Sequence, residues 1–84
     1  ITSLSPNPAE AQVSVAYRLA PTITEGSVQL TNMMGMVVKS EPLNITSTIV
    51  NLNVSDLIYG QYTVKLVASN GEVLDSKVLI VRQS

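Results

Sequence analysis

Residues 60–81 read GQYTVKLVASNGEVLDSKVLIV, and this stretch contains two alternating apolar runs joined by a short polar segment. In the first run Tyr62, Val64 and Leu66 occupy every second position, which is the period of a β-strand with one buried face. The joining segment contains an Asn-Gly pair at 70–71, and this pair suits a type I′ turn between antiparallel strands. The stretch therefore predicts a β-hairpin.

The second run of this stretch differs from the first because both of its faces are apolar. In an alternating strand Val78 and Ile80 point one way, and Leu79 and Val81 point the other. We expect this last strand to be covered on both sides or docked on another molecule. Lys77 is the only charge within the run SKVLIV, and local physics leaves it two interpretations. It guards an edge strand against pairing with other chains, or it is part of a signal that another protein reads.

The same alternation runs through the rest of the chain, with a turn signal after each run. It predicts four more strands, in QVSVAYRL (12–19), GSVQLTN (26–32), MVVKSEPL (36–43) and STIVNLNV (47–54), with room for a short further strand at Ile1–Leu4. NMMG (32–35) predicts a tight hairpin connection in which Gly35 takes positive φ. No window shows a helical stripe. The prediction is an all-β antiparallel sandwich of two sheets, with these residues between them: Val13, Val15, Val28, Leu30, Val50, Leu52, Tyr62, Val64 and Leu66.

Composition limits the function classes. Eighty-four residues make one small domain. A net charge of −1 with five dispersed cations gives no basic surface for binding nucleic acid, and no apolar run approaches the roughly 20 residues of a membrane helix.

The compartment is less constrained by composition. Because the chain has no cysteine, cysteine usage does not indicate whether the compartment is oxidising or reducing. The start at Ile1, without methionine or signal peptide, suggests a fragment of a longer protein. Few charges and many Thr, Ser and Val residues favour an extracellular β domain.

Catalysis is not expected, because the chain has no histidine and no cysteine to serve as base or nucleophile. We expect no cofactor and no metal, since the spacing of a calcium loop is missing and SNGEVLD (69–75) is a poor substitute. The carboxylates are dispersed, mostly beside turns, where such groups are usually solvated: Glu10, Glu25, Glu41, Asp56, Glu72 and Asp75.

Two segments have alternative interpretations. In the lead-in SLSPNPA (3–9), Pro6 and Pro8 cannot donate to a ladder and bias the residues before them towards extended conformations. We interpret residues 1–9 as a stiff joint from a preceding domain; the alternative is an ordinary interdomain linker. In NMMGM (32–36), the methionines form an adaptable binding surface, or at least one of them caps the open end of the sandwich.

The order of these elements resembles a known family. SPNPAEAQVSVAYRL, then VQLTNMMGMVV, then VNLNVSDLIYGQYTVKLVASNGEVLDSKVLIVR is similar to the C-terminal sorting domain, type A, of type IX secretion substrates, the Por system of Bacteroidetes. The resemblance covers about Leu4 to Arg82. It depends on five short motifs in order: P-N-P-A, a D/N-x-x-G-x-x-V hairpin, L-x-x-G-x-Y, N-G, and a lysine followed by apolar residues.

The resemblance implies an immunoglobulin-like sandwich of about seven strands with no catalytic activity of its own. It implies that the domain directs its parent protein from the periplasm across the outer membrane to the cell surface or the medium. A gingipain-like sortase then usually removes the domain and links the cargo to anionic lipopolysaccharide. The implied partners are the outer-membrane translocon and shuttle proteins of the type IX system and this sortase, and self-association is a further expectation.

The family motifs transfer to particular positions of this chain. Ser5 stands where many members have an aromatic residue before P-N-P. The rival function is an immunoglobulin-like structural or adhesion module of a bacterial surface protein; three tyrosines without Trp or Phe give it few platforms for carbohydrate. The signal residues implied by the resemblance are Pro6, Asn7 and Pro8 with Ala9 of the first motif, Gly60 and Tyr62 of the G-x-Y motif, and Lys77, Val78, Leu79, Ile80, Val81 and Arg82 of the terminal motif.

Overall fold

The alternating runs form strands in the structure, a computed structural model that describes residues 1, 3–7, 11–43 and 45–82. Among these residues there is no helix, and so none long and apolar enough to cross a membrane. The predicted all-β fold is confirmed. Its seven strands are β1 (Ser3–Ser5), β2 (Gln12–Ala16), β3 (Gly26–Thr31), β4 (Val37–Pro42), β5 (Ile49–Asn53), β6 (Gly60–Ala68) and β7 (Val73–Val81).

The strands make two antiparallel sheets. One has the order β1-β2-β5 and the other the order β4-β3-β6-β7. The short strand predicted at the start of the chain is present as β1, which pairs with β2. Both β4 and β7 are edge strands of the larger sheet, and Pro42 ends β4 on such an edge, where a residue without an N–H is tolerated.

The core lies between the sheets and follows the period-2 pattern. Strand β2 shows the principle: Val13 and Val15 are fully buried, and Ser14 between them is not. All nine residues predicted between the sheets are buried, at 8% exposure or less. The core also takes in two residues just beyond the ends of β2 and β5 and two residues of β7: Tyr17, Val54, Leu79 and Val81.

Two hairpins join neighbouring strands of the larger sheet, and both end their loops on a glycine. Asn32 and Met36 close the β3–β4 loop through Asn32 N to Met36 O at 2.9 Å, and Gly35 has φ +84°, as predicted. The β6–β7 loop is closed in the same way by Ala68 N and Glu72 O at 2.8 Å. A type I turn followed by a left-handed residue is the usual three-residue hairpin loop.

The type of the β6–β7 turn differs from the prediction. A type I′ turn needs positive φ at both central residues, but only Gly71, at +90°, has it, and Asn70 does not. Gly71 N donates instead to Ala68 O at 2.9 Å, which places the turn one residue earlier. Asn70 contributes through its side chain, whose Oδ1 accepts from Glu72 N at 2.9 Å. The predicted hairpin is therefore confirmed, and the predicted turn type is wrong.

Candidate functional site

The terminal motif lies on β7, at one edge of the four-stranded sheet. Leu79 and Val81 are completely buried in the sandwich, and Val78, on the other face, is 51% exposed. The expectation that this strand is covered on both faces is therefore wrong within the described part of the chain. Docking on another molecule remains a prediction.

Lys77 is exposed but lies on the core side of β7. It pairs with Val64 across β6 and β7, and alternation gives it the same face as Leu79 and Val81. A charge on the inward face of an edge strand is one of the devices that discourage edge-to-edge pairing. This position fits the guarding interpretation, and it also leaves the ammonium group accessible to another protein.

The first motif meets the terminal motif through Asn7. Asn7 Nδ2 donates to the carbonyl oxygen of Val78 at 3.3 Å, and Asn7 Oδ1 accepts from the amide of Ile80 at 3.1 Å. The peptide bond between Ser5 and Pro6, directly before Asn7, is cis. Pro8 and Ala9 of the first motif lie outside the described residues. The lead-in and the last strand are thus joined by two hydrogen bonds across 71 and 73 residues of chain.

The G-x-Y motif also borders β7. Gly60 pairs with Val81, and Tyr62 pairs with Leu79. The Tyr62 ring is 8% exposed and its hydroxyl donates to the carbonyl oxygen of Ile58 at 2.8 Å, as a buried tyrosine usually finds a partner. The three motifs that are separated along the chain therefore adjoin one another around β7.

The methionine hairpin is exposed. Met33, Met34 and Met36 have exposures of 79%, 85% and 60%, so none of them caps the sandwich. Because β3 and β6 are antiparallel, with Thr31 opposite Thr63, this hairpin lies at the same end of the sandwich as the loop before β6. That loop exposes Ile58 and Tyr59, which the sequence pattern did not single out.

An ion pair connects the loop between β5 and β6 to the edge strand β4. Lys39 Nζ on β4 lies 2.9 Å from the carboxylate of Asp56 in the β5–β6 loop. The hydrogen bond from Lys39 lowers the pKa of the Asp56 carboxyl below its ordinary value. Because Asp56 is exposed, the pair is open to screening by salt, and its role is to hold the loop rather than to do chemistry.

The acidic residues make no metal site within the described residues, where no three of them come together in a suitable cluster. Sequence reasoning missed the action of two side chains on β7. Asn7 was singled out only as part of the first motif, and Asp75 only as a solvated carboxylate, although its Oδ1 accepts from Ser76 N at 2.8 Å. The position of Asp75 directly before Ser76 in the predicted last strand is a signal that could have found its hydrogen bond, whereas no local pattern indicates where Asn7 binds.

Comparison with known proteins shows which family the chain belongs to. The family model described as "Secretion system C-terminal sorting domain" matches residues 3–82. No curated protein and no solved structure was found to match the chain. The match spans all seven strands and every motif around β7. The chain belongs to the family of secretion system C-terminal sorting domains.

Proposed function

We propose that the type IX secretion machinery reads this chain along β7 and the motif residues beside it. Membership of the family makes the chain a sorting signal of that system, which interacts with its machinery and takes its parent protein across the outer membrane to the cell surface or the medium. The family is not a catalytic one. The observation that supports β7 as the recognition site is the meeting of three separated motifs at this one edge.

An edge strand is suited to recognition because it offers unpaired backbone groups to an incoming strand. In this proposal the backbone of Val78 and Ile80 supplies the hydrogen bonds, and Lys77 supplies a charge that a partner carboxylate can meet. Leu79, Val81 and Tyr62 act indirectly, since their burial holds the strand in place. Pro6, Asn7 and Pro8 with Gly60 form the surroundings of the strand, and Arg82 extends it at its end.

The later steps follow from the resemblance to the family. We propose that the whole chain is one sorting domain with residues 1–9 as its lead-in, and that it passes through the periplasm. Its partners there and at the outer membrane are the shuttle proteins and the translocon. A gingipain-like sortase then removes the domain and attaches the cargo to anionic lipopolysaccharide. The domain is the substrate of this last reaction.

The test is export of a reporter fused in front of this chain in a bacterium with a type IX system. Lys77→Ala is expected to retain reporter in the periplasm in part, while changing stability within about ±0.5 kcal/mol, since an exposed lysine contributes little. Deletion of residues 77–84 is expected to trap the reporter completely, but it also removes part of a strand and exposes core. The point variant is therefore the decisive one.

Lys65→Ala is the matched control, because Lys65 lies on the neighbouring strand β6 and its replacement removes the same charge. Export of the Lys65→Ala reporter is expected to equal that of the parent. If Lys77→Ala folds and exports like the parent, β7 is not the recognition site. Surface-exposed reporter after deletion of residues 77–84 would contradict the same proposal.

A further inference from the structure

The outer edge of β7 is covered by a side chain that resembles a peptide group. In an antiparallel strand the backbone N–H and C=O groups of alternate residues point to the same side. The backbone groups of Val78 and Ile80 bind Asn7, so they point away from β6. Asn7 Nδ2 donates to Val78 O at 3.3 Å and Asn7 Oδ1 accepts from Ile80 N at 3.1 Å. One amide donor and one amide acceptor thus take the places that a neighbouring strand would fill.

A second side chain covers the next position on this edge. Ser76 is two residues before Val78, so its amide points to the same side, and Asp75 Oδ1 accepts from it at 2.8 Å. The edge is therefore covered by short side chains and not by a strand of the described chain. Such cover protects an edge against aggregation, but a side chain can leave without unfolding the sheet.

We propose that Asn7 is a removable placeholder on β7, and that an extended backbone segment of a partner protein replaces its amide. This inference rests on the proposed function, in which β7 is recognised by strand addition. When the partner's backbone replaces the Asn7 side chain, two amide hydrogen bonds to β7 break and two of the same kind form. The net free-energy cost of the exchange is therefore small. Further bonds then form along the strand, and Val78, half exposed, gives the incoming strand an apolar contact.

The proposal also gives the first motif a task. Pro6, directly before Asn7, has no backbone N–H, so it cannot add a ladder hydrogen bond next to Asn7. Among the described residues next to Pro6, the hold on β7 consists of the two hydrogen bonds of the Asn7 side chain, and the Ile1 ammonium group pairs with Asp75 farther along the strand. A limited hold of this kind is what a placeholder needs, because a longer paired segment would block the partner.

The first test is hydrogen exchange of the Ile80 amide in the 84-residue chain. Asn7→Ala is expected to speed exchange of Ile80 by about fivefold or more, the factor for one lost hydrogen bond. The amide of Leu79, which faces β6, is the internal reference and is expected to stay unchanged. Asn51→Ala is the matched control, since Asn51 is an exposed asparagine on the edge strand β5, where its Oδ1 accepts from Ser14 Oγ at 2.6 Å.

The second test is binding of a capped synthetic peptide with the sequence of residues 60–68. In the folded chain this segment is β6, which pairs with β7 along the opposite edge of that strand. The Asn7→Ala chain is expected to bind this peptide about fivefold or more tightly than the parent, with amide shifts at Val78 and Ile80. Asn51→Ala is expected to bind it like the parent. Equal binding by Asn7→Ala and the parent would overturn the proposal, and so would unchanged Ile80 exchange.

Two other outcomes separate this inference from the function on which it rests. If Asn7→Ala dimerises through β7 without binding the peptide, the edge takes a second copy of the chain and the assigned partner is wrong. If Ile80 exchange and peptide binding both change as expected, but the reporter is exported after deletion of residues 77–84, the placeholder role is supported. In that case the failure lies with the proposed recognition of β7 by the secretion machinery.

Discussion

Tyr62 and Leu79 lie directly opposite each other across β6 and β7, and both side chains are buried in the core. Each belongs to a different family motif, so a substitution at either position changes the stability of the sandwich as well as the sequence of the signal. Tests of recognition therefore need variants whose effects on stability are known. Unfolding measurements on single-residue variants supply these effects.

Tyr62→Phe is expected to lower the free energy of unfolding by about 0.5–1.5 kcal/mol, because it removes the hydroxyl bond to Ile58 and keeps the buried ring. Urea unfolding followed by circular dichroism measures the loss. Tyr59→Phe is the control, since Tyr59 is 66% exposed and its replacement is expected to change little. A Tyr62→Phe chain as stable as the parent would mean that this hydrogen bond contributes nothing to the β5–β6 loop.

Leu66→Ala is expected to destabilise the domain by about 2–5 kcal/mol, because Leu66 is 2% exposed and its loss leaves a cavity between the sheets. A small domain can lose most of its stability in this way, and a fused reporter would then fail to be exported through misfolding alone. Ile58→Ala, at 81% exposure, is the aliphatic control and is expected to stay within about 0.5 kcal/mol. Comparable losses for the two variants would contradict the position of the core.

Gly26→Ala is expected to cost about 1–3 kcal/mol through overpacking. A Cβ at Gly26 would overlap the carbonyl oxygen of Val67 and come within 2.8 Å of Leu43 Cδ1. Gly35→Ala is a useful comparison, because a Cβ there meets nothing within 4 Å and its cost comes only from positive φ. Thermal unfolding measures the loss of stability in both variants, and NMR of the folded chains distinguishes the two causes. Shifted Leu43 methyl resonances, the sign of repacking around position 26, are expected only for Gly26→Ala.

The ion pair between Lys39 and Asp56 predicts a small pH dependence. The hydrogen bond from Lys39 lowers the pKa of Asp56 in the folded chain below its ordinary value of 3.8, so the pair stabilises the fold above that value. This contribution is lost as the pH falls through the lower, folded-state pKa. The urea midpoint of the parent is expected to exceed that of Asp56→Asn at pH 7 in low salt, and the difference is expected to vanish well below the lowered pKa of Asp56 or in about 1 M salt. A difference that persists in acid would assign the effect to something other than charge.

The period-2 pattern predicts most of this fold because a strand with one buried face must alternate. Val13, Val15 and Leu52 are buried for that reason, and the same rule separates Leu79 from Val78 on β7. The turn after β6 was harder, because Asn-Gly fits several loops and the pairing of Ala68 with Glu72 decides among them. Local sequence indicates that a hairpin forms, but the register of the two strands fixes its type.

The surroundings of β7 could not be predicted from periodicity. The bonds from Asn7 to Val78 and Ile80 join segments more than 70 residues apart, and a side-chain amide at the start of the chain gives no sign of where it will bind. Exposure of the methionines was also undecided, since a flexible thioether suits a core gap and a surface equally well. In both cases the answer depends on which strand ends and edges the sandwich brings together.

The outward position of the methionines has a chemical consequence for the stability of the domain. Oxidants convert methionine to its sulfoxide, which disrupts a core when the side chain is buried. Here the buried apolar residues are valines, leucines and two tyrosines, and the chain has neither cysteine nor tryptophan. Peroxide can therefore modify all three methionines without placing a polar group between the sheets. The fold is resistant to oxidation, while the hairpin that carries the methionines is not.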